Sequence, residues 1–203
     1  MCWNAEVSLQ SFLIGITAVF FANQKGLPLP TTLFCLTIVF MQLIEYFVWT
    51  YYDNPTVNFT ASLSASFLLW LQPLASILTL QSKWVLEILL IYIGISGVGF
   101  LLLTDFDNLR ETYQMRRGEN GHLQWNWLQK DTKTTVSLVF YFIFLLTPLL
   151  LRKEYTLLGI TLSTLALSLY SFYKDNTWGS MWCWLVNYIV VGVCGYQIIL
   201  PTK

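Results

Sequence analysis

Apolar residues run through this chain in long blocks, not in the one-sided stripes of a soluble amphipathic fold. Seven blocks approach the roughly 20 mostly apolar residues that carry a helix across a bilayer. They cover 7–23, 31–52, 58–80, 84–104, 134–151, 154–173 and 178–200. The pattern predicts an all-α membrane protein, a seven-transmembrane-helix bundle forming a single transmembrane domain over 1–203. Only Arg152-Lys153-Glu154 divides the fifth block from the sixth, so the count falls to six if no turn forms there.

The one extended polar stretch, 105–133, predicts an extramembrane loop between helices four and five. Within it Tyr113, Met115 and Arg117 alternate with polar neighbours, and Leu123, Trp125 and Trp127 do the same, a period of two that predicts a short β-hairpin. A loop of Glu119-Asn120-Gly121, with Gly121 left-handed, sets Met115 opposite Trp125 and Tyr113 opposite Trp127. The resulting aromatic face makes Trp125, Trp127 and Tyr113 candidate partner-binding residues. The alternative is an irregular loop whose tryptophans sit at the membrane interface.

Composition narrows the class. Of the 203 residues 56% are hydrophobic and 11% charged, against about a quarter charged in an ordinary soluble domain. The expected surroundings are therefore a lipid bilayer. Eleven basic residues balance eleven acidic ones with no basic stripe, so nucleic acid is not an expected partner. Cys2, Cys35, Cys183 and Cys194 lack metal-ligand spacing and His122 is the only histidine, so no metal or cofactor is expected. Retinal chemistry needs a lysine in the last block, which has none, and zinc-dependent membrane hydrolases need several histidines. A disulfide between Cys2 and Cys183 stands beside a free or lipid-modified Cys2.

The first residues lack the basic region and cleavage site of a signal peptide, so the first block is expected to remain as a helix. Basic residues divide almost evenly between the two sides. Glu6 before the first block and Lys25 after it favour an exoplasmic N-terminus and a cytoplasmic C-terminus. The sequon Asn58-Phe59-Thr60 then lies outside, whereas proline excludes Asn54-Pro55-Thr56.

Candidate chemistry centres on Glu45, well inside the second block. An acid there is costly unless it is protonated, paired or facing water. Gln42, Glu45 and Trp49 share a helical face. Other polar positions recur at helical spacing: Ser8 and Ser11; Thr60 and Ser64; Thr164, Ser168 and Ser171; Ser180, Cys183, Asn187 and Cys194. In lipid such groups are expected to turn inward, either as packing contacts or as the lining of a site. Glu45, Gln42, Ser11, Asn187 and Cys183 all fall in the outer half and are expected to line one cavity. Gln72-Pro73 and Thr147-Pro148 are expected to interrupt their helices, as at solute sites of transporters. Gly94, Ser96, Gly97 and Gly99 predict a closely packed fourth helix.

The opening Met1-Cys2-Trp3-Asn4, the run Met41-Gln42-Leu43-Ile44-Glu45 with Trp49, and Leu71-Gln72-Pro73-Leu74 resemble an uncharacterised multi-pass membrane protein family of large DNA viruses and protists. That resemblance covers most of the chain and implies no mechanism. Asn187 and Pro148 are similar to positions in the SWEET and PQ-loop transporters, and this resemblance implies seven spans and solute transport. The chain departs from them in having no Pro-Gln motif and in the insertion at 105–133.

Three functions stay open. The first is a small-solute or ion transporter or channel, proton coupling included, with Glu45, Gln42, Asn187, Gln72, Ser11, Cys183 and Trp49 around its cavity. The second is a sensor, receptor or scaffold that binds a partner through the hairpin. The third is an intramembrane lipid-modifying enzyme, for which no second acid or oxyanion motif speaks. Homo-oligomerisation is open as well.

Overall fold

A computed structural model describes residues 4–200 apart from Gln129, with backbone alone at Leu102 and Leu103. The chain folds into α1 (Ala5–Gln24), α2 (Leu29–Thr50), α3 (Pro55–Leu78), α4 (Val85–Leu103), the short α5 (Leu109–Thr112), β1 (Met115–Arg117), β2 (Leu123–Trp125), α6 (Thr132–Leu151), α7 (Tyr155–Phe172) and α8 (Trp178–Ile199). Six of these helices, α1, α2, α3, α6, α7 and α8, are long and apolar enough to cross a membrane, which makes this an integral multi-pass membrane protein. In α4 the apolar stretch Val85–Leu101 is shorter. Large apolar side chains face outward at Leu86, Leu90, Ile143 and Leu167, where only lipid would solvate them.

Local chemistry explains where the helices start. The Asn4 side chain accepts from Val7 N, Asn54 from Thr56 N and Val57 N ahead of Pro55 at the first helical position, and Asp131 from Thr134 N. The turn at Arg152-Lys153-Glu154 does form. Lys153 adopts φ 60°, and an Arg152–Glu154 ion pair spans it, so α6 and α7 separate. Pro73 and Pro148 lie inside α3 and α6 without ending them, contrary to the expected interruptions. Neighbouring helices supply the polar partners that make this tolerable.

The hairpin pairs Met115 with Trp125, Arg116 with Gln124 and Arg117 with Leu123. Gly118 N donates to His122 O and Gly121 N to Gly118 O, with Gly121 at φ 79° as the alternation requires. Tyr113 stacks on Trp127 with ring centroids 5.8 Å apart. Met115, Leu123 and Trp125 are buried in one apolar cluster with Met41 and Val48 of α2, Ala65 of α3 and Trp178 and Cys183 of α8. The hairpin therefore closes the end of the bundle at which α2 finishes and α3 and α8 begin.

That closure is held by polar contacts as well. Asn58 Nδ2 donates to Met115 O and Asn58 Oδ1 accepts from Met115 N, both at 3.0 Å, so its amide acts like one residue of a third strand. Ser180 Oγ donates to Leu123 O at 2.8 Å, and Asn120 Nδ2 to Thr177 Oγ1 at 2.8 Å. The Arg117 guanidinium lies over the rings of Trp49 and Tyr52, at 5.0 and 4.9 Å from their centroids.

Candidate functional site

Glu45 lies five residues from the end of α2 with none of its surface exposed. Gln42 Nε2 donates to Glu45 Oε2 at 3.3 Å, one turn apart on the same face. Deeper along α2, at Val39, three helices meet closely because α1 carries small residues on its inner face. Ser8, Ser11 and Gly15 are all buried there. A Cβ at Gly15 would fall 2.8 Å from Asn187 Oδ1 and 2.9 Å from Val39 Cγ2. Asn187 Nδ2 donates to the Ser11 carbonyl at 3.0 Å, and Trp184 Nε1 to Ser11 Oγ at 3.2 Å.

The buried polar layer thus consists of two pairs: Ser11 and Asn187 join α1 to α8, and Gln42 and Glu45 are hydrogen-bonded to each other on α2. Cys183 is buried nearby in the cluster under the hairpin, and its thiol is free. Cys2, for which a disulfide to Cys183 and a free or lipid-modified thiol are both open, lies outside the described residues. Trp49 stands apart from the layer, one turn above Glu45 and beneath Arg117. Gln72 stands apart too, bridging α2 and α6: its Nε2 donates to Thr37 O at 3.4 Å, and its Oε1 accepts from Tyr141 Oη.

Several expectations need correction. Glu45, Gln42, Ser11, Asn187 and Cys183, expected around one cavity, are all buried. Glu45, Gln42, Ser11 and Asn187 line neither the cleft between α3, α4 and α6 nor the polar groove outside the hairpin; Cys183 alone reaches the cleft. Of the aromatic residues on the hairpin, Trp125 packs into the cluster with α2, α3 and α8, and Trp125, Trp127 and Tyr113 all border the cleft between α3, α4 and α6. On α3, Thr60 and Ser64 are exposed and donate back to their own helix; the inward polar stripe is Asn58, Ser62, Gln72 and Ser76. Ser171 also points outward, whereas Ser168 is buried and donates to Trp178 O.

Asn58, Ser76 and Tyr141 were not singled out from the sequence. Asn58 was hidden inside a sequon, and Ser76, whose Oγ donates to Leu145 O at 2.8 Å, looks like any small packing residue. Gly94, Gly97 and Gly99 likewise do not pack closely: a Cβ at each would meet nothing within 4 Å. These glycines point in different directions around α4, and it is Trp70, Tyr92 and Phe144 that make the contact between α3, α4 and α6. Comparison with family models, with curated proteins and with solved structures returned no match.

Proposed function

We propose that this membrane protein is a small-solute or ion transporter coupled to protons, with Glu45 as the proton-carrying group and the present conformation an occluded one. The observation that carries this reading is a glutamate with 0% exposure inside an apolar span, hydrogen-bonded to Gln42. An acid in that position costs several kcal/mol to keep charged and is a functional group by default. The hairpin, seated on α2, α3 and α8 at the end of α2 nearest Glu45, then serves as the gate that must lift for Glu45 to exchange with water. In this reading α4 is the seventh span, the N-terminus is exoplasmic and the C-terminus cytoplasmic. Glu6 before α1 and Lys25 after it support that orientation, while the remaining basic residues divide almost evenly between the two sides.

The test is flux in proteoliposomes under an imposed pH gradient. The parent protein should acidify or alkalinise the lumen in the direction of the gradient, and Glu45→Gln, which keeps the shape and the Gln42 contact, should abolish that response. A parent protein without pH-driven flux, or a Glu45→Gln variant with unchanged flux, would falsify the proposal.

A further inference from the structure

The end of the bundle opposite the hairpin holds chemistry of its own, away from Glu45. There the turn between α1 and α2 is tied to α8, since Gln197 Nε2 donates to Lys25 O at 3.0 Å. The same turn is tied to the start of α2, where Asn23 Nδ2 donates to Thr32 Oγ1 at 3.0 Å and Thr32 Oγ1 to Pro28 O at 3.2 Å. One turn deeper than each anchor stands a cysteine: Cys35 follows Thr32 on α2, and Cys194 precedes Gln197 on α8. Both thiols are free, and they hydrogen-bond to each other across the interface between the two helices. Val19 and Ala22 of α1, Leu27 of the turn and Ile38 of α2 close an apolar cluster around them.

These surroundings narrow what the pair can do. Holding either sulfur as a thiolate puts a charge into an apolar span, which is costly. A disulfide is as uncharged as the two thiols it replaces. Burial also selects the oxidant: Cys35 is 3% and Cys194 0% exposed, so bulky or charged reagents are kept out and a small, uncharged peroxide is not. One sulfur takes an oxygen from hydrogen peroxide as the O–O bond breaks, giving a sulfenic acid and one water. The second sulfur then attacks the first, forming the S–S bond and releasing that oxygen as a second water. The thiols lose two electrons and two protons, and the peroxide is reduced to water.

We infer that Cys35 and Cys194 form a redox-sensitive latch: oxidised by a peroxide, they become a disulfide that joins α2 to α8 and holds shut the end of the bundle opposite the hairpin. In the proposed orientation this end faces the cytoplasm, where disulfides are characteristically transient and redox-sensing. The latch joins the helix that carries Glu45 to the helix that carries Asn187, so it resists any parting of the two during transport. Its effect on flux rests on the proton-coupled reading; the bond itself does not.

The test treats the full chain with hydrogen peroxide, blocks the remaining thiols with N-ethylmaleimide in denaturant and maps the peptides by mass spectrometry. The parent should yield peptides linked through Cys35 and Cys194 and separated by dithiothreitol. Its melting temperature in detergent should rise on oxidation and return on reduction. Cys35→Ala and Cys194→Ala should each lose both effects and keep the flux of the reduced parent. Thiols that both remain open to N-ethylmaleimide after peroxide, or that end as separate sulfinic acids, would overturn the pair. Should an alanine variant not fold, the linked peptides of the parent decide alone. In proteoliposomes, oxidation of the parent should abolish pH-driven flux, dithiothreitol should restore it, and Cys35→Ala should be insensitive to peroxide. A linked protein with full flux would overturn the latch. A reduced parent without pH-driven flux would instead sink the proton-coupled reading, and the linked peptides and the melting shift would still decide the bond.

Discussion

The amide of Asn58 satisfies both backbone groups of Met115 and also accepts from Ser62 Oγ at 3.1 Å, so all its capacity is used inside the fold. Replacing it by alanine leaves a buried N–H and a buried carbonyl without their partner, at about 1–3 kcal/mol each. Asn58→Ala should therefore lower the melting temperature in detergent more than Thr60→Ala does, because Thr60 only bonds back to its own helix. The same geometry, with Asn58 5% exposed, predicts that its sequon stays unglycosylated, seen as no mobility change on glycosidase treatment after expression in a glycosylating host. His122 is the other informative residue at this end. Burial, against the opposing pull of Asp175, holds its imidazole below the ordinary value of 6.5, and it packs edge-on against Phe172 at 5.5 Å. Above about pH 6.5 the ring is neutral in folded and unfolded chains alike. As pH falls through that value the unfolded chain takes up the proton first, so stability drops down to the lower folded value. A melting curve followed by tryptophan fluorescence should shift down between about pH 7.5 and about pH 5, and His122→Phe should flatten that dependence.

Glycines separate the helices into two kinds. At Gly15 the contact with Asn187 and Val39 is already tighter than a Cβ can enter, so Gly15→Ala should destabilise by about 1–3 kcal/mol, the usual range for overpacking. At Gly94 the added methyl meets nothing, and Gly94→Ala should be neutral or stabilising by up to about 1 kcal/mol through helix propensity. Thermal unfolding of the two variants beside the parent checks both signs. The contrast also marks what the sequence could tell. Helix ends were legible to within a few residues because apolar length, prolines and the capping residues Asn4, Asn54 and Asp131 all act locally. The hairpin register was legible for the same reason, through a period of two and one left-handed glycine. Which glycine faces a neighbour and which faces a cleft depends on Trp70, Tyr92 and Phe144 on three different helices, and no periodicity along α4 encodes that. Glu45 was legible as an oddity, whereas its complete burial depends on neighbouring helices that its own segment does not specify.

At the scale of the whole molecule, the hairpin is the ground for proposing that α4 is a seventh span. It is hydrogen-bonded to Asn58 at the start of α3, yet the chain leaves α3 at Leu78, on the opposite side of the bundle. The 19 residues of α4 are what return the chain to the hairpin side, a rise of about 28 Å at about 1.5 Å per residue. That nearly matches a hydrocarbon core of about 30 Å. An α4 lying in one leaflet would leave the hairpin on the wrong side of the membrane and break the Asn58 and Ser180 contacts together. Single cysteines at Glu119, at the hairpin tip, and at Lys83, before α4, decide the matter in a chain whose four native cysteines are serine. With a membrane-impermeant maleimide on intact cells, Glu119→Cys should react and Lys83→Cys should react only after permeabilisation, together with Lys25→Cys after α1. Reaction of Glu119→Cys and Lys83→Cys from one side would reduce the spans to six and detach the hairpin from the bundle. The reverse pattern, with Lys83→Cys and Lys25→Cys accessible first, would keep all seven spans and invert the orientation, turning the Glu45 layer toward the cytoplasm.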